Sequence, residues 1–511
     1  MNGKDYGNFT EERLKKFLIN FDRLHDENQK LRIKYYDSPT KFAASETELF
    51  ASLDELQGIA TQPELYPVLV SRGTFSSMIS LITHENTDIS SKVIGIIHEL
   101  TDTDDSDEQE SIEVLVEGLL KEKIIELIVS NLSRFDTKSK DESYAIINSL
   151  GIIDNLIDFR AEIAQSGCKD IVNWMVKTLS ETDEFNPIKL SISELLSVLL
   201  LSSNENKLHF NECNGMDVLL RQVAYYRRIA PQTGDEHEFL EQTINCLCTA
   251  VFDCDANRES FFKEEGVDLV ELILREKRDA IKKSNLKLST LKLFNHVLTT
   301  DKNEDKLVTQ CCERFVEVLG LRVIFPLFNN PKLVLNDKVK KREYHQFIDE
   351  VEEHSSAILL ALLKNSQNAG HIQRILVKFA EMNFEKMLRL LKLHDKYFSI
   401  VQNEDPDNQS RNDQSALSSS YFTLRTIDYI ILLVAYLTNQ YETYDPTSGE
   451  TFASFFTKTL KQRPQLRHQL VLETRRHIDE VSDSEQERES LNFLMKHFEN
   501  IGKSNQDVAA H

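Results

Sequence analysis

"EEGVDLVELIL" (264–274) recurs in altered form along the chain, and that recurrence decides the fold. "CNGMDVLLRQV" (213–223) and "VLGLRVIFPLF" (318–328) repeat it closely; "QSGCKDIVNWMVKTL" (165–179) and "SRGTFSSMISLI" (71–82) do so more loosely. Each sets a small turn with a glycine ahead of an apolar segment of helical period. Gly167, Gly215, Gly266 and Gly320 are 48, 51 and 54 residues apart. Gly73 lies 94 residues before Gly167, room for two units, and "LLKEKIIELIVSNL" (119–132) fills the middle slot without a glycine. A second element, a polar turn after an apolar helix, recurs as "SSNENKLHF" (202–210) and "DCDANRESF" (253–261). One such unit cannot bury its own apolar face, and stacking creates the core. Units of this length mark armadillo or HEAT arrays.

The fold class is therefore all-α, an armadillo/HEAT-type α-solenoid with an N-terminal helical cap and a C-terminal non-repeat helical domain. Only 15 Gly and 10 Pro among 511 residues agree with a helical chain. Residues 1–45 read as a charged helix or cap segment that Pro39 ends, and 46–365 as the repeat superhelix. Residues 366–502 read as a C-terminal helical cap domain and 503–511 as a disordered tail. Within 366–502, "HIQRILVKFAEMNFEKMLRLLKLHDKYFSIV" (371–401) precedes a polar loop over 402–420 and then "YFTLRTIDYIILLVAYLTNQY". The start of the chain lacks an apolar leader, and no run approaches the roughly 18 apolar residues of a membrane span.

The net charge of −23 disfavours direct nucleic-acid binding, which draws its affinity from Lys and Arg. Residues 46–136 carry 19 Asp or Glu against 5 Lys or Arg, a net of −14. At their centre stands "ELTDTDDSDEQESIEVL" (99–115), with Glu99, Asp102, Asp104, Asp105, Asp107, Glu108 and Glu110. A calcium loop needs glycine at its sixth position, and counting from Asp102 that position is Asp107. The run reads as a solvated linker or as an acidic rim that receives something basic.

Signatures of catalysis are missing: there is no P-loop, G-x-G-x-x-G, H-E-x-x-H, G-x-S-x-G or C-x-x-C. Neither an enzyme nor a cofactor is expected. The seven cysteines read as buried thiols of a reducing compartment, Cys246, Cys248 and Cys254 included. His237 and His354 read as surface residues and Trp174 as a core residue. In "SYAIINSLGIIDNLIDF" the core stripe is Ile146, Leu150, Ile153 and Ile157. Asn148, Gly151 and Asn155 then fall on another face, expected to line the concave side. Glu241, Asn245 and Thr249, then Asn295, take the same place further on. Asn side chains there could hold an extended peptide by its backbone amides, beside carboxylates that attract Lys and Arg.

The chain resembles the beta-catenin-like protein 1 family. The resemblance rests on "NQKLRIKYYDSPTKF" (28–42), "ATQPELYPVLV" (60–70), "LITHENTDISSKVIGIIHELTD" (81–102) and "NRESFFKEEGVDLVELILREKR" (257–278). "CERFVEVLGLRVIFPLF" (312–328), "EEHSSAILLALLKN" (352–365) and "KFAEMNFEKMLRLLKLHDKYF" (378–398) extend it, so that it spans roughly residues 10–400. It implies a nuclear, non-enzymatic armadillo scaffold of the spliceosome-associated NineTeen complex, acting in mRNA splicing. The implied partners are a Myb-domain splicing factor and other spliceosomal proteins bearing basic nuclear-localisation-type segments. No membrane partner follows from it, and a homodimer through the apolar C-terminal helices stays open. The alternative is an importin-α-type transport adaptor. That type pairs Trp with Asn four residues later, whereas Tyr144, Glu241 and Leu291 precede Asn148, Asn245 and Asn295 here. Residues 1–45 net only about +2, a weak basic arm.

Overall fold

The computed structural model describes residues 9–102, 109–165, 168–277, 285–300, 305–334, 344–403, 411–480 and 485–501. Helices dominate, and among the described residues the only β pairing is one bridge, Tyr444 to Thr451. The chain divides into two compact units. One is Met1–Gln222 with Gln232–Ala250, and the other is Val223–Pro231 with Val251–His511.

In the first unit the capping helix Glu11–Lys34 leads in, its N-terminus held by Thr10, which accepts from the Arg13 amide. Three-helix repeats follow, each of two short helices and a long third. Tyr66–Val70, Gly73–Ser80 and Thr87–Thr101 make the first; Gln109–Lys121, Ile124–Leu132 and Lys140–Phe159 make the next. Ala161–Gln165, Lys169–Ser180 and Pro187–Ser202 come third, and Asn204–Glu212, Gly215–Arg228 and Gly234–Val251 fourth. Asp255–Lys263, Gly266–Arg275 and Leu286–Leu298 open the second unit, before Lys306–Glu317, Leu321–Asn329 and Tyr344–Asn365. Starts are set by side chains that accept the free amides: Asn86, Asn186 ahead of Pro187, Ser203, and Asp305. The stripe Ile146, Leu150, Ile153 and Ile157 is buried as expected.

The glycine series has a steric cause. A Cβ at Gly215 would lie 2.2 Å from the Phe210 ring, one at Gly266 2.6 Å from Phe261, and one at Gly320 2.5 Å from Phe315. In each case the ring five residues earlier, fully buried, lies against the bare Cα. The left-handed turn is made by the residue before the glycine: Asn214 (φ 59°), Glu265 (φ 58°) and Leu319 (φ 70°). At the slot without a glycine Lys123 takes the same turn (φ 56°), Ile124 replaces the glycine, and Leu119 stands where the others have phenylalanine. Gly73 meets nothing, so it owes its place to neither cause.

Polar groups tie successive repeats together. Asn206 donates from Nδ2 to the Ala164 carbonyl (2.7 Å) and the Leu199 carbonyl (2.9 Å). Its counterpart in the second unit is Asn257, followed by Arg258, whose buried guanidinium reaches the capping Asp305 at 2.7 Å. All seven cysteines are free thiols, and all but the half-buried Cys213 are buried. Desolvation pushes Cys168 up to about 11 and Cys311 up to about 12.

The C-terminal part departs from the repeat. The helical stretch over 371–401 is broken: Glu381 is extended, and Met382, Asn383 and Phe384 are all left-handed (φ 58°, 55° and 61°). Phe384 is held there by stacking on Phe455 (4.5 Å) and an edge contact with Phe452 (4.9 Å). The loop expected over 402–420 is shorter, since the helix Arg411–Gln440 already runs from Arg411. Its stretch Ser418–Gln440 is long and apolar enough by composition to cross a membrane. It packs against Tyr344–Asn365, Ala369–Asn403, Pro464–Glu480 and Glu485–Glu499, with 67% of its most apolar window buried, as a core helix does. Two further expectations are corrected. His354 is 9% exposed, its Nδ1 accepts from Asn295 Nδ2 (3.3 Å) across adjacent third helices, and burial lowers its pKa to about 4. Trp174 is half-buried, not enclosed.

Candidate partner-binding surface

Third helices pack on one another in order through the first unit: Thr87–Thr101 on Lys140–Phe159, and that on Pro187–Ser202, while the helix Ala43–Leu56, ahead of the first repeat, packs on Thr87–Thr101. Gly234–Val251 continues the row, where the Cys246 thiol donates to the Ser193 carbonyl at 3.1 Å. Close spacing needs a small residue: the His98 ring occupies the place a Cβ at Gly151 would take, 2.5 Å away.

The residues expected to bind divide by their surroundings. Glu99 is exposed and accepts from Gln57 Nε2 (2.5 Å). Asp102 is exposed at the end of the Thr87–Thr101 helix, and Glu110 is exposed in the first turn of Gln109–Lys121. Asp104, Asp105, Asp107 and Glu108 lie outside the described residues. Asn148 is half-buried beside Gly95, while Asn155 spends an amide proton on Thr101 Oγ1 (3.2 Å), joining two repeats. Asn245 donates to Gln242 (3.3 Å) and Asn295 is engaged with His354 (3.3 Å). Glu241 is exposed. Three of the four asparagines thus serve helix contacts first, and no single line of free amides runs along the face.

Part of the charge in 46–136 is paired with bases. Arg32 pairs with Glu46 and Glu85, Lys92 with Asp54 (2.5 Å), and Arg160 with Glu113 (3.3 Å) and Glu117 (3.2 Å). A groove of about 640 Å³ nevertheless opens here, with Glu46, Asp88, Asp141 and Glu142 around the partly exposed Phe50. Its one lysine, Lys92, is already held by Asp54.

Beyond this segment lies a row of carboxylates of which the sequence reading found only Glu241. Asp154 and Asp158 on one third helix, Glu194 on the next, and Glu238 with Glu241 on the one after have no ion pair or hydrogen bond among the described residues. Asp154, Asp158, Glu194 and Glu238 are coupled. The Asp154 pKa is raised by burial and then by Asp158; that of Glu194 is raised by burial, then by Glu238 and Asp154. The available signal was Asp154 itself, three residues after Gly151 and so on the same helix face.

A raised carboxyl pKa in the folded state means stability that is present at low pH and lost as pH rises through the raised value. Glu194→Gln is therefore expected to raise Tm near neutral pH. The gain should vanish on acidification below the carboxylate range, as thermal melts across a pH series would read. A lower Tm at neutral pH would mean that Glu194 has a partner.

The sequence model of the family described as "Catenin-beta-like, Arm-motif containing nuclear" matches residues 2–444. The chain belongs to the catenin-beta-like family. Beta-catenin-like protein 1 of Homo sapiens is 36% identical over 398 residues, covering 77% of this chain and 67% of that protein. The catenin-beta-like relative in Schizosaccharomyces pombe is 30% identical over 393 residues, covering 76% of this chain and 64% of its own length. The chain thus spans about two thirds of these relatives. A solved structure of SYS-1 aligns over 90% of this chain and 88% of that one, at 10% identity and a TM-score of 0.49. The catenin-beta-like family is armadillo-type and nuclear by its description, in agreement with the repeats above.

Proposed function

We propose that this chain is a non-enzymatic scaffold of the nuclear, spliceosome-associated NineTeen complex. It holds basic nuclear-localisation-type segments of splicing factors and so supports pre-mRNA splicing. The observation that carries the binding part is the unpaired row Asp154, Asp158, Glu194, Glu238 and Glu241 across three successive third helices. Asp154 and Glu194 are half-buried and feel the exposed Asp158 and Glu238, an arrangement held at a cost that a Lys or Arg side chain entering the row relieves. Phe50, in the groove that reaches Asp141 and Glu142 at the start of the helix carrying Asp154, offers apolar surface to the aliphatic stem of another basic side chain of the segment. Family membership supports the nuclear setting. Charge steers and orients more than it holds, since screening acts within about 10 Å in ordinary salt.

The test is fluorescence polarisation of a labelled basic import-type peptide over a salt series. Glu194→Gln with Glu238→Gln is expected to weaken binding about tenfold at low salt and to flatten the salt dependence. A second arm changes Asp102, Asp104, Asp105 and Asp107 to Ala, which isolates the rim. If the Gln variant binds as the unaltered chain does at low salt, the acidic face is not the receiving surface.

The transport-adaptor alternative needs a tryptophan four residues before each face asparagine. Those places hold the exposed Tyr144 and Glu241 and the fully buried Leu291, which no ligand reaches. Affinity capture from nuclear extract separates the two readings: splicing proteins support the scaffold, importin-β-type carriers the adaptor.

A further inference from the structure

One surface of the second unit has the opposite character. Between the Leu321–Asn329 helix and the first half of Ala369–Asn403 lies a pocket of about 360 Å³. Arg322, Arg374 and Lys378 line it against one acid, Glu381, in a protein whose net charge is −23. Lys378 and Glu381 neutralise each other at 2.9 Å. The Arg374 guanidinium donates to the Val316 carbonyl at 3.1 Å, which fixes it without cancelling its charge. Arg322 is exposed and has no partner among the described residues. Two positive charges are therefore left at the pocket.

The apolar lining makes a second, independent point. Leu319 sits at the left-handed position of its repeat, where the equivalent turns place Lys123, Asn214 and Glu265, all exposed and polar. A branched apolar residue is ill-suited there, since the left-handed conformation costs an L-residue about 1–2 kcal/mol and Asn tolerates it best. Yet Leu319 keeps that backbone and leaves its side chain 37% exposed on the pocket wall. Just past Glu381, Met382 opens the left-handed run and is 66% exposed. Strain that displays apolar side chains to water, instead of hiding them, is of the kind found at binding sites.

We propose that this pocket binds an acidic segment of a partner protein that carries apolar anchor residues. Its carboxylates meet Arg322 and Arg374, and its aliphatic side chains meet Leu319 and Val377 on the pocket wall. Arg is suited to the polar half because its planar fork takes a carboxylate by two parallel hydrogen bonds. The chain's overall negative charge repels such a segment elsewhere, so the pocket gains selectivity from its surroundings. The site is distinct in charge and place from the acidic face, and its failure would leave the proposed function untouched.

The test uses the full chain and a short fluorescein-labelled peptide of Glu and Leu, titrated by fluorescence polarisation. Two variants read the two halves: Arg322→Glu reverses an unpaired charge, and Leu319→Asn removes the anchor while placing the residue found at Asn214. Each is expected to weaken binding about tenfold. Leu319→Asn should keep or raise Tm, so lost binding would not be lost folding. Absent saturable binding, unaltered affinity in either variant, or equal binding of a Lys/Leu or Glu/Ser peptide would overturn the proposal. A phosphoserine peptide without Leu that binds more tightly and ignores Leu319→Asn would also overturn it, in favour of a phosphate site.

Discussion

Gly215→Ala is expected to destabilise the first unit by about 2 kcal/mol, although alanine is the better helix former. The added methyl would lie 2.2, 2.3 and 2.7 Å from three atoms of the Phe210 ring. That ring is fully buried, so it cannot swing into solvent, and either the ring or the turn at Asn214 must shift. Overpacking of this kind costs about 1–3 kcal/mol, and the gain in helix propensity returns at most about 1. For a body of this size the loss corresponds to a Tm lower by about 4–8 °C. The slot with Leu119 and Ile124 shows how the same turn accommodates a side chain: the partner five residues earlier is smaller. Phe210→Leu alone should destabilise by opening a cavity, and combined with Gly215→Ala it should recover part of the loss. A thermal-melt double-mutant cycle measures this, and strictly additive losses would show that ring and glycine are not coupled.

Glu352→Ala should cost more, about 3–5 kcal/mol, because it strands charge inside the second unit. The Glu352 carboxylate is 3% exposed. It takes the Arg389 guanidinium on one oxygen, and on the other Lys396 Nζ (2.6 Å) and the Tyr397 hydroxyl (2.8 Å). Lys396 has a second anion in Asp349 (2.5 Å), but among the described residues Arg389 has no other. The buried carboxylate also holds the Tyr397 phenol in its neutral form, its pKa raised by burial and then by Glu352. Glu352→Gln keeps an acceptor for the hydroxyl and loses the charge, so it should fall between the natural residue and alanine. Replacing both partners, Glu352→Met with Arg389→Met, should be milder than Glu352→Ala, since no lone charge is left behind. Urea titration reads the order. A loss under about 1 kcal/mol for alanine would place the cluster in water.

The repeat was legible because its marks are local. A glycine, the ring five residues before it and the polar turn ahead of Asn206 or Asn257 all fall within a dozen residues, and the core stripe of Lys140–Phe159 has the helical period. What escaped depends on partners distant in sequence. His354, following Glu352 and Glu353, looks like a surface histidine until Asn295 and its helix cover it. The break at Met382–Phe384 contains neither glycine nor proline, and the apolar pattern runs straight through it. The cage of Phe452 and Phe455, with the Asp445 carboxylate accepting from the Asn383 amide, makes that turn tolerable. The carboxylate row is assembled one or two residues at a time from helices about 40 residues apart. Single-helix inspection shows only ordinary exposed acids. Density of charge along the chain pointed instead to 46–136, where arginines from other helices pair with several of the acids.

The thiols give the fold a built-in clock. A buried cysteine reacts with an alkylating reagent only when its helix opens, because burial suppresses both access and the thiolate. Cys168, Cys246, Cys248, Cys254, Cys311 and Cys312 fall in successive repeats, so the order in which they are labelled traces where the stack comes apart and how far an opening spreads. An array held by nearest-neighbour contacts can loosen at one joint while the rest stays closed. Timed mass measurements of labelled chains would turn that property into a map of which joints yield when a partner is bound or released.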